Sequence, residues 1–124
     1  MDELRIPSTK TTPEIILDPK GILNITGRSI QENIADFFSP VEEWICEYVR
    51  KPQELTVIDI NLEYISSASA KVLVHIFQKI AYLQLKGRKY IINWYYEEGD
   101  DDILERGEHF SLILGMPFNF IKIS

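Results

Sequence analysis

The spacing of apolar residues changes several times along the chain, and each change marks an element. EIILD and ILNITG are short β-branched runs separated by Asp18-Pro19-Lys20-Gly21, and they read as two strands of a hairpin joined by a tight turn. Residues 1–13 before them carry Pro7, Pro13 and several hydroxyl side chains, the composition of a loosely held arm. Farther on, Val41, Trp44, Ile45, Tyr48 and Val49 recur at three- and four-residue intervals, so they share one face of a helix. Ser39-Pro40-Val41-Glu42 has the form of a capping box with proline at the first helical position, and Arg50-Lys51-Pro52 forms a cationic stop. If the helix starts earlier, near Asn33, the spacing predicts a break or kink at Pro40, since an interior proline costs about 3 kcal/mol or more.

The second half is more regular. Leu55 to Leu62, LTVIDINL, is short, β-branched and nearly continuous in apolar character, as expected of a central strand buried on both faces. Val72, Leu73, Ile76, Phe77, Ile80 and Leu83 form a helical stripe closed by Lys86-Gly87. KYIINWYY, residues 89–96, reads as another strand. Strand, helix and strand with short connections make a βαβ unit, expected to be right-handed with parallel strands. The acidic run EEGDDD then opens a short helix through ILERGEHFSLIL, its carboxylates suiting the positive end of the helix dipole, and PFNFIKIS closes the chain as an edge strand. The sum is an α/β fold, a mixed sheet of about four or five strands with helices packed against it.

Composition narrows what such a domain can do. At 124 residues, 45% hydrophobic and 26% charged, the chain has the balance of one domain spanning residues 1–124. A net charge of −6 argues against phosphate-backbone binding, so nucleic acid is not an expected partner. The lone Cys46 assembles neither a disulfide framework nor a cysteine zinc site within the chain. The first residues have no apolar core of the secretory type, and no run is long enough to span a bilayer, so the expected compartment is the cytoplasm, with no membrane partner. The run Glu97, Glu98, Asp100, Asp101 and Asp102 lacks the alternation and closing glutamate of an EF-hand loop. No metal and no cofactor are expected, and no glycine-rich phosphate loop is present.

Between the central strand and the helix lies LEYISSASAK, residues 62–71. For a hydrolase, a serine there needs a base within hydrogen-bond reach. His75 lies eight helical residues beyond Ser67, roughly 12 Å along the axis, and nothing in the sequence brings His109 nearer. Ser66 or Ser67 is an expected N-cap. The same helix end also tolerates a phosphate, because its free amides and dipole favour an anion. Lys71 stands one turn beyond Ser67, within range to pair with a phosphate there, and Tyr64 and Ile65 offer an apolar rim. A partner docked on that rim would be repelled by a new dianion, which gives a switch without catalysis.

LEYISSASAK, together with TPEI, GRSIQENIADFF, INWYYEEGDDD and the terminal MPFNF, closely resembles the SiaC family of bacterial regulatory phosphoproteins. The resemblance covers nearly the whole chain and implies a fold similar to STAS domains, the class of anti-sigma factor antagonists. It implies a non-enzymatic protein acted on by a serine/threonine kinase and a PP2C-type phosphatase, whose unphosphorylated form binds an effector such as a diguanylate cyclase and so promotes cyclic-di-GMP synthesis and biofilm formation. Family members carry a motif like LEYFNTSSSK with threonine as phosphoacceptor. Aligned on LEY and Lys71, that threonine falls on Ser67, with Ser66 in place of asparagine and Ala68 in place of a serine. The resemblance thus implies Ser67 as acceptor; Ser66 and Ser69 are the alternatives, and Tyr64, Ile65, Ser66, Ala68 and Lys71 are the expected partner-binding surface. The other reading is a STAS-like sensor that binds a small molecule or nucleotide, which predicts a buried polar cavity under the sheet.

Overall fold

The structure, a computed structural model, describes residues 1–124. Six strands and three helices follow one another as β1 (Leu4–Ile6), β2 (Glu14–Asp18), β3 (Ile22–Ser29), α1 (Ile34–Tyr48), β4 (Leu55–Ile65), α2 (Ser67–Leu85), β5 (Lys89–Glu97), α3 (Asp101–Leu114) and β6 (Asn119–Ile123). They form one mixed sheet in which the spatial order is the sequence order, β1 to β6. The first three strands are antiparallel, and β3, β4, β5 and β6 run parallel. Six strands exceed the expected four or five because the opening segment joins the sheet. Leu4, Arg5 and Ile6 pair with Leu17, Ile16 and Ile15, and Trp44 Nε1 donates to the Asp2 carbonyl at 2.8 Å. The expected loose arm over residues 1–13 is therefore anchored at its start by β1.

The monotonic order explains the layering. Three successive crossovers, each stepping to the next parallel strand with the usual right-handed sense, place their helices on the same face. The helices contact one another as well as the sheet. Register confirms the sidedness: Leu17, Leu23, Ile58 and Ile92 form one buried row, and Ile15, Ile25, Ile60 and Trp94 another. The intervening row, Asn24, Asp59, Asn93 and Asn119, lies on the open face, where Asn93 Nδ2 donates to Asp59 Oδ1 at 2.9 Å and Asn119 Nδ2 to Asn93 Oδ1 at 3.1 Å. The central strand β4 is thus covered on one face only, a correction to the expectation of burial on both.

Two local expectations change with it. The Ser39 capping box does not form, because α1 begins after Asn33 and runs continuously through Pro40. Pro40 and Asp36, whose carbonyl loses its usual partner, are both exposed. Water can therefore take up the orphaned acceptor. The hairpin turn is as expected: Gly21 donates to the Asp18 carbonyl at 2.9 Å with φ of 97°, and a Cβ there would meet the Leu55 carbonyl at 2.6 Å. At the far end of α2, Gly87 and Arg88 close the helix onto the Gln84 and Leu83 carbonyls.

Candidate functional site

Strand β4 continues past its apolar run to Ile65, and α2 starts two residues later, so the serine turn sits at the carboxyl end of a central parallel strand. Open α/β sheets place their functional sites at such ends. A shift of register between Gly27 and Arg28 brings Arg28 opposite Tyr64 and Ser29 opposite Ile65. The Arg28 guanidinium lies 5.3 Å from the centre of the Tyr64 ring and binds Glu63 Oε2 at 2.9 Å. Tyr64 remains 57% exposed; Ile65, expected on the rim beside it, is 8% exposed and packs in the core. The apolar rim is therefore Tyr64 without Ile65.

The three serines occupy three different environments. Ser66 is the N-cap: its backbone is extended, and its Oγ accepts from the Ser69 amide at 3.1 Å. Ser69 is fully buried, its Oγ donating to the Ser29 carbonyl at 2.9 Å and lying 2.7 Å from Ser29 Oγ and 2.9 Å from Ser66 Oγ. Ser67, at the first helical position, is exposed, and its hydroxyl makes no hydrogen bond to the protein. Helical phase separates them. Ser69 precedes Leu73, Ile76, Ile80 and Leu83 on the buried stripe, whereas Ser67 shares the outer face with Lys71, an exposed cation in no ion pair.

Free amides complete the geometry. Ser66 N donates to the Ser29 carbonyl and Ala70 N to the Ser66 carbonyl, while the first-turn amides of Ser67 and Ala68 have no intrahelical acceptor. Ala68 is exposed beside them. Ser29 and Arg28 were not legible as site residues, because neither shares a motif with the serine run. They arrive through the pairing of β3 with β4, for which Gly27, at the register shift, is the local trace.

His75 and His109 are exposed on α2 and α3, and neither hydrogen-bonds a serine of the turn. The acidic residues of the 97–102 run do not gather into a group of three or more able to hold a metal ion. No helix is long and apolar enough to cross a membrane. The interior on the helix side is a cluster of 24 buried residues, and an open cleft of about 640 Å³ lies between the ends of β4 and β5 and the start of α3. Its lining includes Glu63, Glu97, Glu98, Asp100 and Asp102, a sign that repels nucleotide phosphates.

A mixed α/β fold of six strands and three helices is shared with solved SiaC structures. Residues 6–123 match a family described as the SiaC family regulatory phosphoprotein, and the chain belongs to that family. SiaC of Pseudomonas aeruginosa, solved in complex with the diguanylate cyclase SiaD that it activates, is similar with a TM-score of 0.90 and 27% identity, over 97% of this chain and 99% of that one. Apo-SiaC from the same organism gives a TM-score of 0.88 and 28% identity, over 98% and 99%. An uncharacterized protein of P. aeruginosa strain UCBPP-PA14 is 29% identical over 95% of this chain and 94% of its own length.

Proposed function

We propose that this regulatory protein is a non-enzymatic cytoplasmic phosphoswitch with Ser67 as the acceptor. Its unphosphorylated form binds and activates an effector, a diguanylate cyclase as in the SiaC–SiaD complex. One observation carries the residue assignment: of the three serines in the turn, only Ser67 offers an exposed hydroxyl with no structural bond to break. Modifying Ser69 would require opening the buried contact with Ser29, and modifying Ser66 would displace a helix cap. A phosphate on Ser67 meets the free amides of its own helix end and comes within one turn of Lys71, so the domain keeps its shape while its surface changes sign.

The docking surface in this reading is Tyr64, the half-buried cap Ser66, and the exposed Ala68 and Lys71 at the start of α2. A dianion at its centre opposes an effector that packs there and turns activation off. A serine/threonine kinase and a PP2C-type phosphatase set the phosphorylated fraction. Phosphorylation by the kinase and ATP, followed by fragmentation mass spectrometry, tests the assignment: the phosphate is expected on Ser67 and absent from the Ser67→Ala variant. Phosphate confined to Ser66 or Ser69 overturns the choice of residue.

A further inference from the structure

The cleft beside the serine turn combines an apolar base with an acidic rim. Leu62, Ile65 and Ile103 are buried at its base, and Glu63, Glu97, Glu98, Asp100 and Asp102 bring five carboxylates against the single guanidinium of Arg106. Two of the five are engaged: Glu63 with Arg28, and Asp100 with the Ile103 amide that it caps at 3.2 Å. The carboxylates of Glu97, Glu98 and Asp102 have no hydrogen-bond or ion-pair partner, and Arg106 forms no ion pair. These acids are spread along the wall rather than converging on a metal-sized point. A cleft of that form suits an extended chain carrying separated cations, whose aliphatic stems lie on the apolar base while their heads reach the rim. Tyr64 and Tyr96 add ring faces to its lining, and Tyr64 already holds one guanidinium.

We propose that this cleft is the docking site for a basic, lysine- or arginine-bearing segment of a protein that engages the phosphorylated form. The second half of the proposal rests on the phosphoswitch reading and follows from sign. Ile65 lines the cleft two residues before Ser67, and a phosphate on Ser67 adds about −1.5 to −2 charges beside five carboxylates. That change strengthens the attraction for a basic segment. The effector released by phosphorylation therefore takes its discrimination from the Tyr64 and α2 surface. The cleft belongs to a protein that must find the modified form, as an enzyme removing the phosphate must.

A fluorescent nona-arginine peptide, titrated against the full chain with amide-shift mapping, tests the proposal. Four proteins are compared: wild type and Glu97→Gln/Glu98→Gln/Asp102→Asn, each unmodified and with phosphoserine installed genetically at position 67. The shifts are expected to gather on cleft residues, the variant to bind roughly tenfold more weakly at low salt, and phosphorylation to tighten binding several-fold. Shifts spread over the exposed Glu105 and Glu108 of α3, or equal affinity for wild type and variant, overturn the cleft as the site. The unmodified proteins read the cleft whether or not Ser67 is the natural acceptor, so failure there is distinct from failure of the phosphoswitch. Phosphorylation that leaves the affinity unchanged overturns the preference for the modified form.

Discussion

Replacing each serine of the turn by alanine should rank the three in opposite orders for stability and for switching. Ser67 makes no side-chain bond and is exposed, so Ser67→Ala is expected to change stability by no more than about 0.5 kcal/mol. Ser66→Ala removes the cap on the Ser69 amide, a loss of about 1 kcal/mol. Ser69→Ala removes one donated and two neighbouring hydroxyl contacts in a fully buried position. None of its partners is stranded: the Ser29 carbonyl keeps the Ser66 amide, Ser29 Oγ keeps Gln31 Oε1 at 3.2 Å, and Ser66 Oγ keeps the residue 69 amide. The cost is therefore about 2 kcal/mol, less than three full bonds plus stranded groups. Urea unfolding followed by Trp44 and Trp94 fluorescence reads this as a midpoint lowered by about 1 M at a typical slope near 2 kcal/mol per M, with the slope itself unchanged. The Ser29→Ala/Ser69→Ala pair should cost less than the sum of its singles, because they share a bond. Ser69→Ala behaving like Ser67→Ala, or Ser67→Ala proving the costliest of the three, would refute the separation of structural and switching hydroxyls.

Gly107 packs on Trp94, where a Cβ would stand 2.5 Å from the buried Nε1. Gly107→Ala should cost a net 1–2 kcal/mol, roughly, since overpacking outweighs the gain of about 1 kcal/mol in helix propensity. A stabilised variant in the same urea assay contradicts that packing. Tyr95 is held above its usual pKa by burial first, then by the charge of Asp59 and the hydrogen bond to it. The native state then keeps a proton that the unfolded chain releases near pH 10, so stability should fall as pH rises above about 10. Tyr95→Phe should flatten that decline; an unchanged slope assigns it elsewhere, Tyr90 being the other tyrosine raised by burial.

Elements with a clear period were legible in the sequence. The α2 stripe, the β5 alternation and the Asp18–Gly21 turn stand where the residues place them. What stayed hidden depended on partners distant in the chain. LRI is too short to announce a strand and becomes β1 only by pairing with β2. Glu63 and Tyr64 interrupt the apolar run, yet β4 continues because β3 extends beside it across the register shift. Pro40 resembled a helix boundary because a short window contains only local propensity and not the packing that overrides it. Phe38 and Val41, both fully buried, flank it and carry the helix through. Within the site, the phase that buries Ser69 and exposes Ser67 is present in the spacing to Leu73, whereas Ser29 and the guanidinium on Tyr64 come from sheet register alone.

The most direct test of the switch is the affinity of a purified diguanylate cyclase partner for the full chain with phosphoserine installed at position 67, against the unmodified chain. Both proteins are first shown to unfold at the same urea concentration. The phosphoserine protein is expected to bind at least about tenfold more weakly, a penalty of roughly 1.4 kcal/mol or more from a dianion inside a docking surface, and to lose cyclase activation in step. Equal affinity and equal activation by the two forms would contradict the phosphoswitch.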